Sequence, residues 1–233
     1  MIIEVWSDFT CPFCYIGKRQ LELALEQFNH RTDVEIIFKS FELDPNAKRN
    51  VDYNVNEMLS KKYGITLEQV QSNNQSVTER ASTLGLEYHL DTMKLTNTFD
   101  AHRLTKMAAQ YGKKMEMAER LFKANFTESK HLGDHVTLAD LAVEVGLDRN
   151  EVLEMLKSTN FTQEVRFDES EAKEIGVSGV PFFVIDRKFA LSGAQSNEAF
   201  LQALNKAYQA SHPLTILSEK DNHSVCNDGS CSI

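Results

Sequence analysis

No apolar run in the chain approaches the roughly 20 residues that a membrane-spanning helix needs, so no membrane role is expected. No stripe of lysine and arginine is present either. Of the 233 residues, 25 are Lys or Arg and 34 are Asp or Glu, a net charge of −9, and a nucleic-acid partner is not expected. No internal repeat or low-complexity segment stands out. The chain opens Met1-Ile-Ile-Glu-Val-Trp-Ser-Asp8 without the basic start and small-residue cleavage site of a secretory signal, which points to the cytoplasm. Cysteine is scarce. There are four, Cys11, Cys14, Cys226 and Cys231, in two close pairs at opposite ends of the chain. In a reducing compartment that count does not read as a disulfide framework; catalysis or metal binding is the expectation.

What is present is ordinary globular material. Hydrophobic residues make up 42% and charged residues 25%, which argues against a mainly disordered chain. The length suffices for one cored domain, or one domain with an insertion.

Residues 2–6 read as a short buried strand, followed by Ser7-Asp-Phe-Thr10 and Cys11-Pro-Phe-Cys14. A helical pattern follows, with Cys14, Leu21, Leu25 and Phe28 on one face and Pro12 in the first turn, where its missing N–H costs nothing. Residues 34–41 are β-branched and aromatic, a second strand. The crossover makes these two strands parallel. From about 50 to 176 strand signals vanish and helix punctuation takes over. Thr66-x-x-Gln69 is a capping box and Gly85 a stop. Asn97–Tyr111 is periodic and ends at Gly112. Thr137-x-x-Asp140 and Asp148-x-x-Glu151 each open a helix, and a further one runs to Gly176. Five to seven helices are expected.

Strand chemistry returns at Val180-Pro-Phe-Phe-Val-Ile185. A tight turn at 186–188, residues 189–191 and a last helix capped by Asn197 complete the series. The expected class is α/β: a four-stranded sheet domain of residues 1–45 and 177–212, a helical insertion of 46–176, and a tail of 213–233.

The chemistry centres on Cys11-x-x-Cys14 at a strand-to-helix junction. A cysteine at a helix N-terminus meets unsatisfied N–H groups and the positive end of the macrodipole, which favours the thiolate, the attacking species. Cys14, one turn on and facing inward, is placed to resolve a mixed disulfide formed at Cys11. The alternative is a zinc site built from all four cysteines. Pro181 opens a strand in a buried-looking sheet, where proline is normally unwelcome; a cis peptide or an edge position would accommodate it. The backbone of Val180 would then be free to pair with a bound peptide or thiol ligand. Pro12 and Phe13, between the cysteines, are the candidates for the exposed rim. His102 and Arg103, on a helix of the insertion, are candidates for contacting a substrate or a glutathione carboxylate.

Ser7-Asp-Phe-Thr-Cys-Pro-Phe-Cys-Tyr-Ile-Gly17, Asn97-Thr-x-x-Ala-His-Arg-Leu104 and Gly176-Val-Ser-Gly-Val-Pro-Phe-Phe-Val184, with Ser192-Gly-Ala-Gln195, together resemble the DsbA-like thioredoxin superfamily, most closely its FrnE-type branch. The resemblance implies a thioredoxin fold with a large all-helical insertion, a cis-proline at Pro181, and thiol–disulfide oxidoreductase activity at Cys11 and Cys14. Its redox partners would be protein or small-molecule thiols and disulfides, with no tightly bound cofactor, glutathione as a candidate redox partner, and a homodimer left open. It also implies an exchange between the main dithiol and Cys226/Cys231.

Two departures matter. The buried acid that DsbA members and thioredoxins place six residues before the first cysteine is Val5 here, leaving Glu4 and Asp8 as the nearest acids. The DsbA dipeptide Pro-His is Pro12-Phe13, and phenylalanine offers the thiolate no hydrogen bond and no charge. A weaker oxidant than DsbA is expected, by about 30 mV per tenfold loss of reduced-form stabilisation. The same architecture serves kappa-class glutathione transferases and glutathione-dependent isomerases, usually with serine for the first cysteine. That reading stays open, as does a metal-binding or chaperone-like module.

Overall fold

The computed structural model describes residues 1–212. Strand β1 (Ile2–Ser7) lies inside a four-stranded sheet of order β2-β1-β3-β4, between β2 (Glu35–Ser40) and β3 (Phe182–Ile185), with β4 (Phe189–Ser192) at the edge. β1 and β2 run parallel, Ile3 opposite Ile36 and Val5 opposite Phe38. β3 is antiparallel to β1, Val5 facing Phe183, and pairs with β4 through a hairpin. Its three-residue turn places Asp186 and Arg187 at φ 49° and 56°, both in the left-handed region. The parallel pair is joined by α1 (Pro12–Gln27), as the crossover rule demands.

Alternation along β1 decides what each face of the sheet buries. Ile3 and Val5 face α1 and the last helix, α9 (Asn197–Ser211). They pack there with Leu21, Ala24, Phe28, Phe183, Phe200 and Leu204. Glu4 and Trp6 point the other way. Between β2 and β3 stand seven helices: α2 (Val55–Tyr63), α3 (Leu67–Ser82), α4 (Phe99–Gln110), α5 (Lys114–Phe126), α6 (His135–Glu144), α7 (Arg149–Lys157) and α8 (Thr162–Glu174). Their own core, built on Leu104, Leu121, Phe122, Phe126, Leu138 and Val152, is continuous with Phe9, Tyr15 and Ile16 at the start of α1. The chain is thus a DsbA-like thioredoxin fold with the helices inserted in one connection.

The helix signals are local, and most hold. Thr66 and Gln69 form both halves of the capping box, and Asp148 accepts from the N–H groups of Asn150 and Glu151. Two caps lie one or more residues earlier than expected. Asp134, not Thr137, starts α6, with Thr137 donating to it from the first turn, and Ser196, not Asn197, caps α9.

α8 is fastened to the sheet by a buried charge cluster. Trp6 Nε1 donates to the Asp168 carbonyl at 2.9 Å, and the Asp168 carboxylate accepts from the Ser40 N–H at 2.7 Å. The same carboxylate pairs with Lys106 of α4 and stands 3.5 Å from Lys39 of β2. Glu4 is bound into this cluster through Arg187 and Lys39. Removing one partner from such a cluster strands the others in a low-dielectric interior. Asp168→Ala is therefore expected to lower the unfolding free energy by about 3–5 kcal/mol, measured by equilibrium denaturant unfolding. A loss no larger than that of an exposed substitution would show that Lys39 and Lys106 need no counter-charge here.

Candidate active site

β1 ends at Ser7, and the backbone then turns tightly into α1. The Cys11 N–H donates to the Asp8 carbonyl at 3.1 Å, and the Cys14 N–H to the Cys11 carbonyl at 3.0 Å. Cys11 is the N-cap residue, in extended conformation, with Pro12 behind it in the first turn. Its side chain makes no capping hydrogen bond, so the sulfur is left to the site rather than to the helix. Both thiols are free, Cys11 5% and Cys14 1% exposed. Burial pushes the Cys14 thiol well up, and the adjacent Cys11 adds to the effect. Cys14 sulfur accepts from the Asp8 N–H at 3.5 Å.

The second wall of the site is the segment before β3. The Val180–Pro181 peptide bond is cis, and Cys11 Sγ stands 3.4 Å from the Val180 carbonyl, to which it donates. The Gly193 N–H holds the Pro181 carbonyl at 2.8 Å, tying the segment to the end of β4. Gly17 makes the approach of this segment to α1 fit. A Cβ there would lie 3.0 Å from Pro181 Cγ and 3.1 Å from Phe183 Cζ. Cys11, Cys14, Val180 and Pro181 are therefore gathered at one point.

The helical insertion supplies supports that carried no sequence motif. The Tyr88 hydroxyl donates to the Pro12 carbonyl at 2.7 Å, and Asn125 Nδ2 to the Phe9 carbonyl at 2.9 Å. Burial, followed by the charges of Tyr15 and the two cysteines, keeps the Tyr88 hydroxyl protonated and so a donor. Beside Cys11 opens a cavity of about 1390 Å³. Its wall includes Leu43, Met58, Val70, Leu90, Met93 and Val180. Pro12 and Phe13 belong to that wall, and Phe13 is 40% exposed.

Two expected contacts are corrected. Arg103 does not face a cleft. It is 3% exposed and its guanidinium is consumed by Asp100, at 2.8 Å, and by the carbonyls of Met155, Ser158 and Asn160 at the end of α7. A buried guanidinium needs all these acceptors, so none is left for a ligand carboxylate. His102 is fully buried, its ring 4.8 Å from that of Phe9 and its Nε2 3.4 Å from Asp8 Oδ1; it is not a surface contact for glutathione. Phe9 itself is core. Of the two nearby acids, Asp8 is the one at the site, while Glu4 lies on the opposite face of the sheet. Cys226 and Cys231, and with them the relay and the four-cysteine zinc arrangement, lie outside the described residues. Among the described residues no three His, Cys, Asp or Glu side chains are grouped to hold a metal ion.

A dithiol at the first helix N-terminus, facing a cis-proline across the end of a mixed sheet, defines a thioredoxin-type protein with a helical insertion. The chain belongs to the DSBA-like thioredoxin domain family, whose model matches residues 2–205. It is similar to the protein YwbO of Bacillus subtilis (strain 168), with 31% identity over 205 residues, covering 87% of this chain and 95% of that one. It is also similar to the probable DsbA oxidoreductase SCO1869 of Streptomyces coelicolor, with 39% identity, a TM-score of 0.88 and 94% of each chain covered. A 2-hydroxychromene-2-carboxylate isomerase shares the fold at 14% identity and a TM-score of 0.66, over 93% of this chain and all of that one.

The seating of Pro181 on Gly17 is directly testable. Gly17→Ala is expected to destabilise the protein by about 1–3 kcal/mol, since Pro181 and Phe183 are both held and neither can retreat. It is also expected to slow mixed-disulfide formation at Cys11. Denaturant unfolding and stopped-flow reaction with a small disulfide measure the two effects; wild-type values in both would show that the close approach is dispensable.

Proposed function

We propose that the protein is a thiol–disulfide oxidoreductase of the FrnE type, working in the cytoplasm through the Cys11/Cys14 dithiol. The observation that carries this reading is the division of labour between the two sulfurs. Cys11 caps the helix with its sulfur outside the helix's own hydrogen bonds, donating to the Val180 carbonyl at the edge of a large cavity. Cys14 is buried one turn away, with its thiol held protonated by its surroundings. The first suits attack on, or by, an external disulfide; the second suits an internal attack on the mixed disulfide that results. In balance, Cys11–S–S–R and Cys14–SH become the Cys11–Cys14 disulfide and R–SH, and the reverse sequence reduces the pair.

The partners are protein or small-molecule thiols and disulfides, with glutathione the first to test; no tightly bound cofactor is part of this reading. The mostly apolar cavity beside Cys11 suits a disulfide carried on an apolar segment or group. Any contribution of Cys226 and Cys231 is an addition to this scheme and not a condition of it.

Cys14→Ser is expected to stop the reaction at the first step. In a Cys226→Ser/Cys231→Ser background and incubated with oxidised glutathione, it accumulates one glutathione adduct on Cys11, seen by intact mass and peptide mapping, while Cys11→Ser in the same background loses disulfide exchange altogether. A Cys11→Ser protein that kept a glutathione-dependent isomerase or transferase activity would replace this proposal with the isomerase-like reading.

A further inference from the structure

The helices of the insertion differ in how much they bury. α4 buries eight of its 12 residues, whereas α2 buries one of nine and α3 two of 16. Both α2 and α3 are nonetheless amphipathic. On α3, Val70, Asn74 and Val77 fall at steps of four and three and share one face, and that face forms part of the wall of the cavity beside Cys11. Met58 of α2 and Ile65, between the two helices, extend the same wall. The apolar faces of this helix pair are thus turned to the cavity rather than to a protein core. Interiors are close-packed and hold few voids larger than a water molecule. An apolar wall around about 1390 Å³ has the character of a ligand site rather than of a packing defect.

The cavity also has a sign. Three lysines in its wall, Lys48, Lys61 and Lys62, form no ion pair among the described residues, unlike Lys39 and Lys106. The wall's carboxylates are engaged by backbone N–H groups: Glu57 by that of Asn54 at 3.1 Å, Asp44 by that of Asn46 at 3.0 Å, and Asp8 by that of Leu43 at 2.8 Å. Arg80 is engaged by the Ala194 carbonyl. The uncommitted charge is therefore positive. Cys11, 5% exposed, stands in the same wall. A disulfide on the surface of a folded protein does not reach a sulfur this covered while α2 and α3 stay in place. A small molecule inside the cavity does.

We propose that the cavity binds a small-molecule disulfide with an extended apolar body and a carboxylate end, and that the apolar body completes the packing of α2 and α3. This rests on the oxidoreductase reading and names the substrate class for it. In the reducing direction, Cys11 sulfur attacks one sulfur of R–S–S–R′, where R carries the apolar body and the carboxylate. The Cys11–S–S–R bond forms, the R–S–S–R′ bond breaks, and R′–SH leaves with the Cys11 proton. Cys14 sulfur then attacks Cys11 sulfur. The Cys11–Cys14 bond forms, and R–SH leaves with the Cys14 proton. The two electrons come from the dithiol, and an external thiol such as glutathione returns them. Burial of R against Met58, Val70 and Val77 supplies the affinity, and the lysines select the charge of its end.

The test uses the reduced full chain carrying Cys14→Ser, Cys226→Ser and Cys231→Ser, which leaves Cys11 as its one thiol. The probes are 2-pyridyl disulfides of ω-mercaptoalkanoic acids of increasing chain length. Attack by Cys11 releases pyridine-2-thione, a chromophore, and leaves the acid on the protein. Each rate is divided by that of free glutathione with the same probe, which removes the probe's intrinsic reactivity. The ratio is expected to rise about two- to fourfold per methylene, as each CH₂ leaves water. A trimethylammonium-ended probe of equal length is expected to react about threefold more slowly, the difference shrinking at high salt. Lys48→Glu/Lys61→Glu/Lys62→Glu, three exposed substitutions, is expected to reverse that preference. Amide exchange in α2 and α3 is expected to be about tenfold slower in the longest adduct than in the shortest.

A ratio that does not rise with chain length overturns the proposal without any variant. So does an equal or faster reaction of the ammonium-ended probe, or a triple variant that keeps the carboxylate preference. Amide exchange that ignores chain length overturns it too, as does a cysteine peptide whose 2-pyridyl disulfide outruns every acid. Reaction with oxidised glutathione beside a flat series sinks the proposal alone. No reaction of Cys11 with oxidised glutathione or with any probe sinks the oxidoreductase reading, and the proposal with it.

Discussion

The site exists because two backbone segments far apart in sequence come within contact of each other, and a missing side chain lets them. The segment ending in Pro181 lies against the second turn of α1, where Gly17 leaves room for the proline ring and for Phe183. That seating puts the Val180 carbonyl on Cys11 Sγ and draws β3 into register with β1. It also fixes the mouth of the cavity beside Cys11. A methyl group at residue 17 would push on all three. Protein interiors transmit such displacements because they are close-packed, with little void to absorb them.

The helical insertion is a structural partner of the site as well as a cover for it. Tyr88 and Asn125 donate to backbone carbonyls on either side of Cys11, so the turn bearing the dithiol is held from the insertion side. α8 is held in turn by the Asp168 cluster on the far face of the sheet. A thioredoxin-like core without these helices would keep its dithiol and lose the groups that orient the turn and enclose Cys14.

Local signals were legible in the sequence and long-range ones were not. Strands, the parallel crossover and most helix boundaries follow from residues that act on their immediate neighbours: Pro12 in the first turn, Thr66 with Gln69, Asp148, and the positive-φ stops at Gly85, Gly112 and Gly176. The dithiol and Pro181 were legible because their spacing and context are specific. Tyr88 and Asn125 were not, since a lone tyrosine in a loop and an asparagine in a helix show nothing until the partner backbone is in place. Arg103 was misread for a related reason. An arginine on an amphipathic helix looks available to a ligand, and only the fold reveals that the end of α7 supplies carbonyls for it. The choice between Glu4 and Asp8 also required the fold, because alternation fixes which acid shares a face with Trp6 but not what lies beyond the strand end.

In the proposed function, Cys11 and Cys14 form one reversible two-electron couple. Equilibrating the Cys226→Ser/Cys231→Ser protein in buffers of graded reduced to oxidised glutathione, and counting free thiols after acid quenching, tests it most directly. Both thiols are expected to disappear together in a single two-electron transition, with a midpoint more reducing than the roughly −120 mV of DsbA because Phe13 gives the Cys11 thiolate no support. Two thiols that stay free across the whole range, or that are lost one at a time as stable glutathione adducts, would contradict it.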